Sequence, residues 1–528
     1  MQFDYVVVGG GSAGCALAAR LSEDPSVAVC LVEAGGDGRS FLIDTPIMLA
    51  VTVPRRLHNW AFETVPQPGL DGRKGYQPRG KGLGGSSSIN AMVYIRGHPG
   101  DYDDWAAAGN RGWGWSDVLP LFKRSEHNER GADDFHGSGG PLNVADLRSP
   151  NAAALAFVEA GAQAGHPRNA DFNGVQQEGV GLYQVTQKNG RRWSAARAYL
   201  DPAAGRENLT VLTGAHALRL RFDGEACTGV EIMQRGVRRP LLARWETILA
   251  AGAFGSPQLL LLSGVGPKEE LERHGVALRH ELPGVGRNLQ DHIDYVIGYR
   301  SSAPGLLGLT PRGLANLVKG YFRYRNDGSG ILSSNIAESG GFLKSDARLE
   351  RPDLQLHFTI GLVAAHGRDR TPRYGFSCHV CALRPRSRGT VGLVSADPFA
   401  PPRIDPAFLA QADDLRLLVR GVKMTLGILE QRALDPFRGV NVFGESGASD
   451  EALATLLRQR ADTVYHPVGT CRMGSDELAV VDPELRVRGI ERLRVADASI
   501  MPTLIGGNTN AAAIMIGERC ADIVRAAS

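Results

Sequence analysis

Residues 3–14 read FDYVVVGGGSAG. The stretch begins with an apolar run typical of a buried strand and continues through Gly9, Gly11 and Gly14, which fit the pattern G-x-G-x-x-G. In that pattern the first glycine permits a tight turn, the second lets the backbone approach a pyrophosphate, and the third lets a helix pack closely on the strand. The stretch therefore predicts a strand, a glycine turn and a helix that begins near Ser12.

A second predicted strand ends in a carboxylate. Residues 27–33 read VAVCLVE, and Glu33 follows Gly14 by 19 residues. A carboxylate at this place can bind ribose hydroxyls and would repel a 2′-phosphate, which disfavours NADP. The phosphates themselves would lie on the N–H groups of the first helical turn, where the helix dipole favours negative charge. Together the two stretches predict a site for the ADP half of a dinucleotide.

Composition and charge restrict the class of protein. The chain has 528 residues, of which 43% are hydrophobic and 22% charged, and its formal net charge is +3. This length predicts more than one compact unit, and the balanced charge leaves no basic stripe, so nucleic acid is not expected as a partner. No stretch approaches eighteen consecutive apolar residues. We therefore expect no membrane-spanning helix, whereas peripheral association with a membrane face stays open.

Cysteine usage favours a reducing compartment, because seven cysteines are few and odd in number. Residues 378–381 read CHVC, but positions three apart in a strand point to opposite faces, and no second cysteine pair completes four ligands. We expect no metal site. The first strand begins within three residues of the N-terminus, leaving no room for a signal segment. The expected location is the cytoplasm, with the inner face of the cytoplasmic membrane as the alternative.

The predicted elements indicate interleaved domains. Residues 37–100 are rich in Pro and Gly and too long for an ordinary connection, so we expect them to bind something. Residues 302–461 change to alternating strands, such as Leu354–Thr359, and long helices, such as Gln411–Arg432, which indicates a second domain. The chain then returns to a strand at Leu493–Val495 and ends in a helix. The predicted nucleotide-domain segments are 1–150, 206–301 and 462–528, and the second-domain segments are 151–205 and 302–461.

Three later groups of residues suit a large, flat ligand and its chemistry. Residues 79–97 read RGKGLGGSSSINAMVYIRG, whose backbone amides could cradle a second part of such a ligand. Residues 251–267 read AGAFGSPQLLLLSGVGP, where small residues after a strand let the backbone press against a cofactor. The last group comprises residues 466–474 (HPVGTCRMG), 495–502 (VADASIMP) and 507–511 (GNTNA).

These motifs, in this order, resemble the glucose-methanol-choline (GMC) flavin oxidoreductases, and the resemblance covers essentially the whole chain. It implies FAD rather than NAD, and an α/β fold in which a Rossmann-type FAD-binding domain is interleaved with an α+β substrate domain built on an antiparallel sheet. Residues 59–64, 184–190 and 334–342 are most similar to bacterial aliphatic alcohol dehydrogenases and slightly less to choline dehydrogenases. The implied function is oxidation of a primary alcohol to the aldehyde, with electrons passed to a quinone-type acceptor.

Two residues are candidates for the chemistry of that reaction, in which hydride goes to flavin N5. His466, which a following proline drives out of helix, can accept the hydroxyl proton near neutral pH. The amide of Asn510 can donate an N–H to the developing alkoxide without competing for the proton. The helix predicted at residues 510–526 would also offer its N-terminal amides to the negative charge of the reduced flavin.

The resemblance also implies a set of cofactor-binding residues. In some choline-oxidising relatives a His after the Ser-Ser of the glycine-rich motif tethers the flavin, whereas this chain carries Ile89, so we expect non-covalent FAD. Asp497 and Ala498 resemble positions that contact the ribityl and phosphate groups. The full expected set is Gly9, Gly11, Ser12, Ala13, Gly14, Glu33, Ala34, Trp60, Arg79, Gly82, Leu83, Gly84, Gly85, Ser86, Asn90, Ala91, Met92, Val93, Ala217, Ala251, Gly252, Asp497, Ala498, Asn510 and Ala511.

Other functions stay open from the sequence. An oxidase acting on aryl or furan alcohols would pass electrons to oxygen and form hydrogen peroxide. A choline dehydrogenase would need a carboxylate and an aromatic cage for the quaternary ammonium, and Glu338 is a candidate carboxylate. Some relatives keep the flavin but act as lyases on cyanohydrins. A flavin-binding protein without enzymatic activity is the remaining alternative.

Overall fold

A computed structural model describes residues 1–308, 310–363, 365–368 and 374–527. The α-helices are Ser12–Leu21, Phe41–Asp44, Leu49–Thr52, Pro99–Ala107, Trp115–Ser125, Ala152–Gln163, Asp201–Ala203, Gly252–Leu262, Lys268–Arg273, Pro311–Asp327, Ala412–Leu429, Asp450–Arg460 and Asn510–Ala527. The 3₁₀ turns are Pro46–Met48, Pro68–Leu70, Gly85–Ser88, Ile331–Ser333, Ala365–Gly367, Arg432–Leu434 and Ala498–Ile500, and Ala196–Leu200 is a π turn.

The first sheet is built around the apolar strand Gln2–Val8, whose last five residues are buried. Because parallel strands are covered on both faces, near-continuous apolar runs of this kind are expected in them. The edge-to-edge order is Leu209–Leu212, Val29–Val32, Gln2–Val8, Val237–Leu249, Ala226–Gln234 and Ala215–Asp223, and Leu493–Val495 also pairs with Val237–Leu249. The last two strands of that order pair antiparallel and the others parallel.

Two helices from opposite ends of the chain pack against each other beside this sheet. They are Ser12–Leu21, which follows the glycine turn, and Asn510–Ala527. Between them the buried carboxylate of Glu518 accepts hydrogen bonds from Arg20 at 2.9 Å and from the hydroxyl of Tyr199 at 2.7 Å. The end of the chain is thereby fixed beside the first nucleotide-binding motif.

The second sheet is antiparallel throughout. Its order is Asp462–Thr463, Ile293–Arg300, Tyr374–Ala382, Leu354–Thr359, Ala337–Leu343 and Gly179–Leu182, and the short strand Leu307–Gly308 pairs with Tyr374–Ala382. The two-stranded pairs are Val265–Gly266 with His280–Glu281, Thr390–Gly392 with Arg403–Asp405, Phe62–Glu63 with Tyr76–Gln77, Glu126–Asn128 with Leu142–Val144, and Gln187–Lys188 with Arg191–Arg192.

The predicted fold class is confirmed. The strands Leu354–Thr359 and Leu493–Val495 and the helix starting at Ser12 have the predicted positions. The strand Ile293–Arg300, from the predicted segment 206–301, pairs within the second sheet, and Asp462–Thr463, from the predicted segment 462–528, pairs with it. The domain boundaries stay a prediction.

The Cys378–Cys381 segment lies in the strand Tyr374–Ala382, as predicted. All seven cysteines are free and buried. Within the described ranges no cluster of three or more His, Cys, Asp or Glu side chains is arranged to hold a metal ion. No helix of the described part of the chain is long and apolar enough to cross a membrane.

Candidate functional site

A cavity of about 1790 Å³ extends from the first sheet to the second. At one end it is lined by Val8, Val32 and Ala250, which lie at or just beyond the carboxyl ends of three parallel strands. At the other end it is lined by His357 and Thr359 of the second sheet. In open α/β sheets ligands bind outside the carboxyl ends of the strands, and this cavity begins at that place. It is large enough for a dinucleotide together with a small substrate.

The carboxylate of Glu33 lies in the wall of the nucleotide end. It accepts hydrogen bonds from the backbone N–H groups of Gly10 at 3.0 Å, Gly35 at 2.7 Å and Gly82 at 3.0 Å. Burial raises the pKa of this carboxyl, while the three N–H donors and Lys81 act in the opposite direction. Glu33 therefore joins the first motif to the glycine-rich segment and still faces the cavity, where ribose hydroxyls would bind.

The glycines of the first motif differ in what surrounds them. A Cβ on Gly14 would lie 1.9 Å from the carbonyl oxygen of Gly9, so that position needs a glycine for close packing. A Cβ on Gly11 would meet no protein atom closer than the Ala250 oxygen at 3.8 Å. Gly11 instead lines the cavity, which leaves its backbone accessible to a pyrophosphate. These are the two roles that the sequence pattern predicts for these positions.

The buried carboxylate of Asp497 organises the wall beside the first motif, where Ala250 and Ala251 adjoin Gly9. It accepts hydrogen bonds from the N–H of Gly252 at 2.9 Å and from the hydroxyl of Ser256 at 2.5 Å. Gly252 has φ +80°, and a Cβ there would meet nothing within 4 Å. No side chain therefore separates the Gly252 backbone from the cavity, and a bound cofactor could contact this backbone directly.

Most of the expected cofactor residues line this single cavity, together with His466. Five do not: Gly14, Gly82, Leu83, Gly84 and Ala511. They support the wall from behind. Gly82 donates its N–H to Glu33, Gly84 donates its N–H to the Gly10 oxygen at 2.8 Å, and Ala511 is buried in the core of the first sheet. Much of the stretch 37–100 also lines the cavity, which accounts for its unusual length.

His466 is placed at the substrate end by a chain of two imidazoles. The Nε2 of His292 lies 3.0 Å from the carbonyl oxygen of Leu383, which can only accept, so this nitrogen carries a proton. Burial lowers the pKa of His292 to about 4, so the ring is neutral and its Nδ1 is an acceptor. That Nδ1 lies 2.9 Å from the Nδ1 of His466, which must therefore be the protonated nitrogen. The lone pair of His466 is left on Nε2.

Asn508, and not Asn510, lies beside this lone pair. The Asn508 amide nitrogen is 3.2 Å from His466 Nε2, and its oxygen accepts from Gln355 Nε2 at 2.9 Å. The side-chain oxygen of Asn510 instead accepts from the hydroxyl of Ser12 at 2.7 Å. Asn510 begins the C-terminal helix and belongs to the nucleotide end, whereas Asn508 lies two residues earlier in the loop that reaches the second sheet. The amide beside His466 is therefore that of Asn508, and the role expected of Asn510 as donor to an alkoxide stays a prediction.

The peptide group between Tyr465 and His466 is hydrogen-bonded at both ends to charged groups, the partly buried Arg79 and the buried Asp291. Arg79 Nη2 donates to the Tyr465 carbonyl oxygen at 2.6 Å, and the His466 N–H donates to Asp291 Oδ1 at 2.9 Å. Thr463 Oγ1 accepts from the Tyr465 N–H at 2.6 Å and donates to the other Asp291 oxygen at 2.5 Å. These contacts hold Tyr465 at φ +76°, which a non-glycine residue adopts only under constraint.

Burial governs protonation around His466. It lowers the pKa of His466 well below its usual range, with His292, His357 and Arg79 acting in the same direction. It also lowers the pKa of His357 to about 3 and raises that of Asp291 to about 6. His466 is consequently neutral at pH 7, with Nε2 free to take up a proton.

Sequence reasoning missed four residues of this end. They are Asp291 and His292, which follow Gln290 in the text QDH, and His357 and Asn508. The adjacent Asp and His, directly before the strand Ile293–Arg300, are the one local signal that could have drawn attention. His357 is one of alternating side chains in the strand Leu354–Thr359, and nothing in that pattern distinguishes it from a core residue.

The remaining wall near the second sheet is mainly apolar. Its described members include Ile47, Met48, Leu49, Val51, Leu317, Ile336, Leu362, Val363 and Val464. Among the described residues that line the whole cavity, the carboxylates are Glu33, Glu63 and Asp497, and the lysines and arginines are Arg55, Arg56, Lys74, Arg79, Lys81, Arg368 and Arg403. The cavity therefore carries more positive than negative side chains.

Glu338 does not serve as the predicted carboxylate for a cationic substrate. Its Oε1 accepts from the hydroxyl of Ser334 at 2.5 Å and its Oε2 accepts from the N–H of Asn151 at 2.6 Å. It is buried and is absent from the cavity wall. Burial raises its pKa to about 7.

Relatives of known sequence match nearly the whole chain. An alcohol dehydrogenase (acceptor) of Pseudomonas putida is 47% identical over 531 residues, covering 99% of this chain and 96% of the relative. An oxygen-dependent choline dehydrogenase of Serratia proteamaculans is 44% identical, with 99% and 96% covered. Both similarities extend through the first motif and the last helix.

Solved structures share the fold. Pyridoxine 4-oxidase from Mesorbium loti is 34% identical, with a TM-score of 0.88 and 98% of each chain covered. An FAD-dependent oxidoreductase from Chaetomium thermophilum is 26% identical, with a TM-score of 0.90 and 99% of each chain covered. Family models described as GMC oxidoreductase match residues 3–294 and 385–517. The chain belongs to the GMC oxidoreductase family, and its cofactor is FAD.

Proposed function

We propose that this enzyme oxidises an uncharged primary alcohol with an apolar chain to the aldehyde and passes the electrons to a quinone-type acceptor. The observation that carries the proposal is the pairing of His466 Nε2 with the amide of Asn508 at the apolar end of the FAD cavity. The imidazole is a proton acceptor, the amide is an uncharged hydrogen-bond donor, and both face the same point in the cavity. Alcohol oxidation needs both at the hydroxyl oxygen.

The chain's own residues would act as follows. His466 Nε2 accepts the hydroxyl proton of the substrate, and the chain of hydrogen bonds through His292 to the Leu383 carbonyl stabilises the ring orientation before and after that transfer. The Asn508 N–H that faces His466 Nε2 in the free site would turn to the substrate oxygen as its negative charge develops. Bound FAD supplies the acceptor for the carbon-bound hydride. His357 accepts the second N–H of Asn508 at 3.4 Å, which holds that amide against His466.

The nucleotide end would hold the cofactor without a covalent bond. Ile89 lines the cavity where a tethering histidine would be expected, and no cysteine is among the described residues of the cavity wall. Glu33 would bind the ribose, the backbone at Gly11 and the first turn after it the pyrophosphate, and Gly252 the adjoining part of the cofactor.

The charge and polarity of the cavity favour an uncharged substrate over choline. Glu33 and Asp497 are engaged by backbone N–H groups, and Glu63 lies 3.5 Å from Arg368. None of the three is available to a quaternary ammonium, and the surrounding arginines and lysines would repel it. The apolar side chains near the second sheet would instead cover an alkyl or aryl chain.

The acceptor is proposed from the relatives. The Pseudomonas putida relative is named as an alcohol dehydrogenase (acceptor), whereas the Serratia proteamaculans choline dehydrogenase is named as oxygen-dependent. At 47% identity over 99% of the chain, the first of these supports a dehydrogenase that uses a quinone or a similar carrier.

The substrate class is tested by anaerobic mixing of the holoenzyme with 1-alkanols, benzyl alcohols, hydroxymethylfurfural and choline. We expect rapid loss of the flavin absorbance with 1-alkanols and benzyl alcohol, and little change with choline. Air and a soluble quinone are then compared as acceptors, and quinone should give the faster turnover with little hydrogen peroxide. Faster flavin reduction by choline than by the other alcohols would overturn the proposed substrate class. Hydrogen peroxide as the main product would indicate an oxidase. Flavin that keeps its colour with every alcohol, in a protein that cleaves a cyanohydrin, would indicate a lyase.

His466→Ala should retain FAD and lose turnover by roughly 10²–10⁴-fold, because general base catalysis contributes that much. In the unsubstituted enzyme the base must be neutral, so activity falls as pH falls through the pKa of His466. Since that pKa is lowered, the acid limb of kcat/KM should lie below about 6.5. His216→Ala is the matched control, because His216 lines the same cavity but contacts Phe399 and Trp60. Equal losses in both variants would remove the base role.

Asn508→Ala and Asn510→Ala should separate the two asparagines. Removal of a donor to a developing oxyanion costs roughly 10²–10³-fold in kcat, so Asn508→Ala should lose that much. Asn510→Ala should lose less kcat and retain FAD less tightly, since Asn510 binds Ser12 at the nucleotide end. Steady-state kcat at saturating FAD and the flavin remaining after gel filtration measure the two effects. The reverse order of kcat losses would assign the donor role to Asn510.

Acid precipitation of the holoenzyme should release the flavin. With Ile89 at the position of the tether, no bond is expected to join the isoalloxazine to the chain. The measured quantity is the flavin absorbance of the supernatant relative to that of the pellet. The comparison variant is Ile89→His, reconstituted with FAD under oxidising conditions. Yellow colour retained in the precipitate of the unsubstituted protein would contradict non-covalent binding.

A further inference from the structure

The helix Pro311–Asp327 exposes a row of large apolar side chains. Val318, Tyr321 and Phe322 are 55%, 42% and 69% exposed. Positions three and four apart lie on one face of a helix, so these three side chains form one outward stripe, and Arg325 continues it by a further turn. Leaving such a stripe in water is unfavourable, which indicates that something covers it in use.

The opposite face of the same helix is anchored at the cavity. Leu317 and Tyr324 pack against the apolar cluster formed by Ile47, Leu332 and Ile336. Leu317 also lines the cavity, beside the apolar end described above. The helix is therefore fixed in rotation by packing on its inner side, and its outward stripe has a set direction relative to the cavity.

The surroundings of the stripe are basic. Among the described side chains of the helix one acidic residue, Asp327, stands against three basic ones, Lys319, Arg323 and Arg325. Lys319 and Arg325 are exposed, and neither forms an ion pair with a residue of the described ranges.

We propose that this face, defined by Val318, Lys319, Tyr321, Phe322 and Arg325 and named the docking face, binds the surface of a bilayer that contains anionic phospholipid. Amphipathic helices with aromatic and aliphatic residues on one side and Lys or Arg alongside lie in the headgroup region in this way. The basic side chains provide the attraction to anionic lipid. A second copy of the same face would bring like charges together, which disfavours self-association.

Docking has a consequence for the reaction, and this step rests on the proposed function. The bilayer would lie beside the wall that Leu317 contributes, so an apolar alcohol dissolved in lipid would have a short route to His466. A lipid-soluble quinone would reach the same region. The binding itself does not depend on which alcohol is the substrate.

Co-sedimentation of the full-length holoenzyme with vesicles tests the docking face. We expect binding to vesicles of phosphatidylcholine mixed with phosphatidylglycerol, weaker binding to phosphatidylcholine alone, and loss of binding as salt is raised. The double variant Val318→Ser with Phe322→Ser should bind ~10-fold less or weaker still. The matched control replaces two exposed valines elsewhere, Val175 and Val440, which are 89% and 70% exposed, and should bind as the unsubstituted protein does.

A charge variant separates the electrostatic contribution to vesicle binding from the apolar contribution. Lys319→Glu with Arg325→Glu should remove the preference for phosphatidylglycerol, and every variant should keep FAD and its turnover of a water-soluble alcohol. No binding to the anionic vesicles, or equal binding by the Val318 and Phe322 variant, would overturn the proposal. Concentration-dependent dimerisation that this variant abolishes would also overturn it, in favour of a second copy of the chain. If binding to vesicles succeeds while no alcohol is oxidised, only the proposed function fails.

Discussion

One peptide group, between Tyr465 and His466, has to be held in place for the rest of the site to work. Its oxygen faces the partly buried guanidinium of Arg79 and its N–H faces the buried carboxylate of Asp291, so the two charges align with the peptide dipole. Burial is unfavourable for both charges, lowering the pKa of Arg79 to about 10 and raising that of Asp291 to about 6. Their separation by a polar group is tolerated because each charge is hydrogen-bonded. The arrangement stabilises the left-handed backbone at Tyr465, which sets the direction of His466.

Sequence patterns predicted the nucleotide end better than the substrate end, for a physical reason. The turn at Gly9, the close packing at Gly14 and the carboxylate of Glu33 are local requirements, and each demands a particular residue type at a fixed spacing. Local requirements can be read from a linear chain. The helix that begins at Ser12 and the strand before it could be predicted for the same reason.

The substrate end is assembled from segments far apart in the chain, and there the sequence was less informative. His466 meets His292, which is 174 residues away, and Asn508 meets Gln355, which is 153 residues away. Asn508 and Asn510 are two amides only two residues apart, and the sequence offered no means of choosing which one lies beside His466. The start of the C-terminal helix decides this, because it turns Asn510 toward the nucleotide end. Glu338 was equally undetermined, since only packing reveals that Ser334 and Asn151 occupy both of its oxygens.

The electrostatics of the cavity connect these features. The FAD pyrophosphate is anionic, and seven lysines and arginines of the described wall stand against three carboxylates that are already engaged. An uncharged alcohol would not be repelled by these positive side chains. A cation would be repelled by them and would also lose its hydration on entering the cavity. Burial is the main cause of the lowered pKa of His466, and Arg79 acts in the same direction. Burial of the site and its excess of positive side chains thus favour both a neutral base and the uncharged substrate that we propose, and such a substrate could enter from an apolar phase.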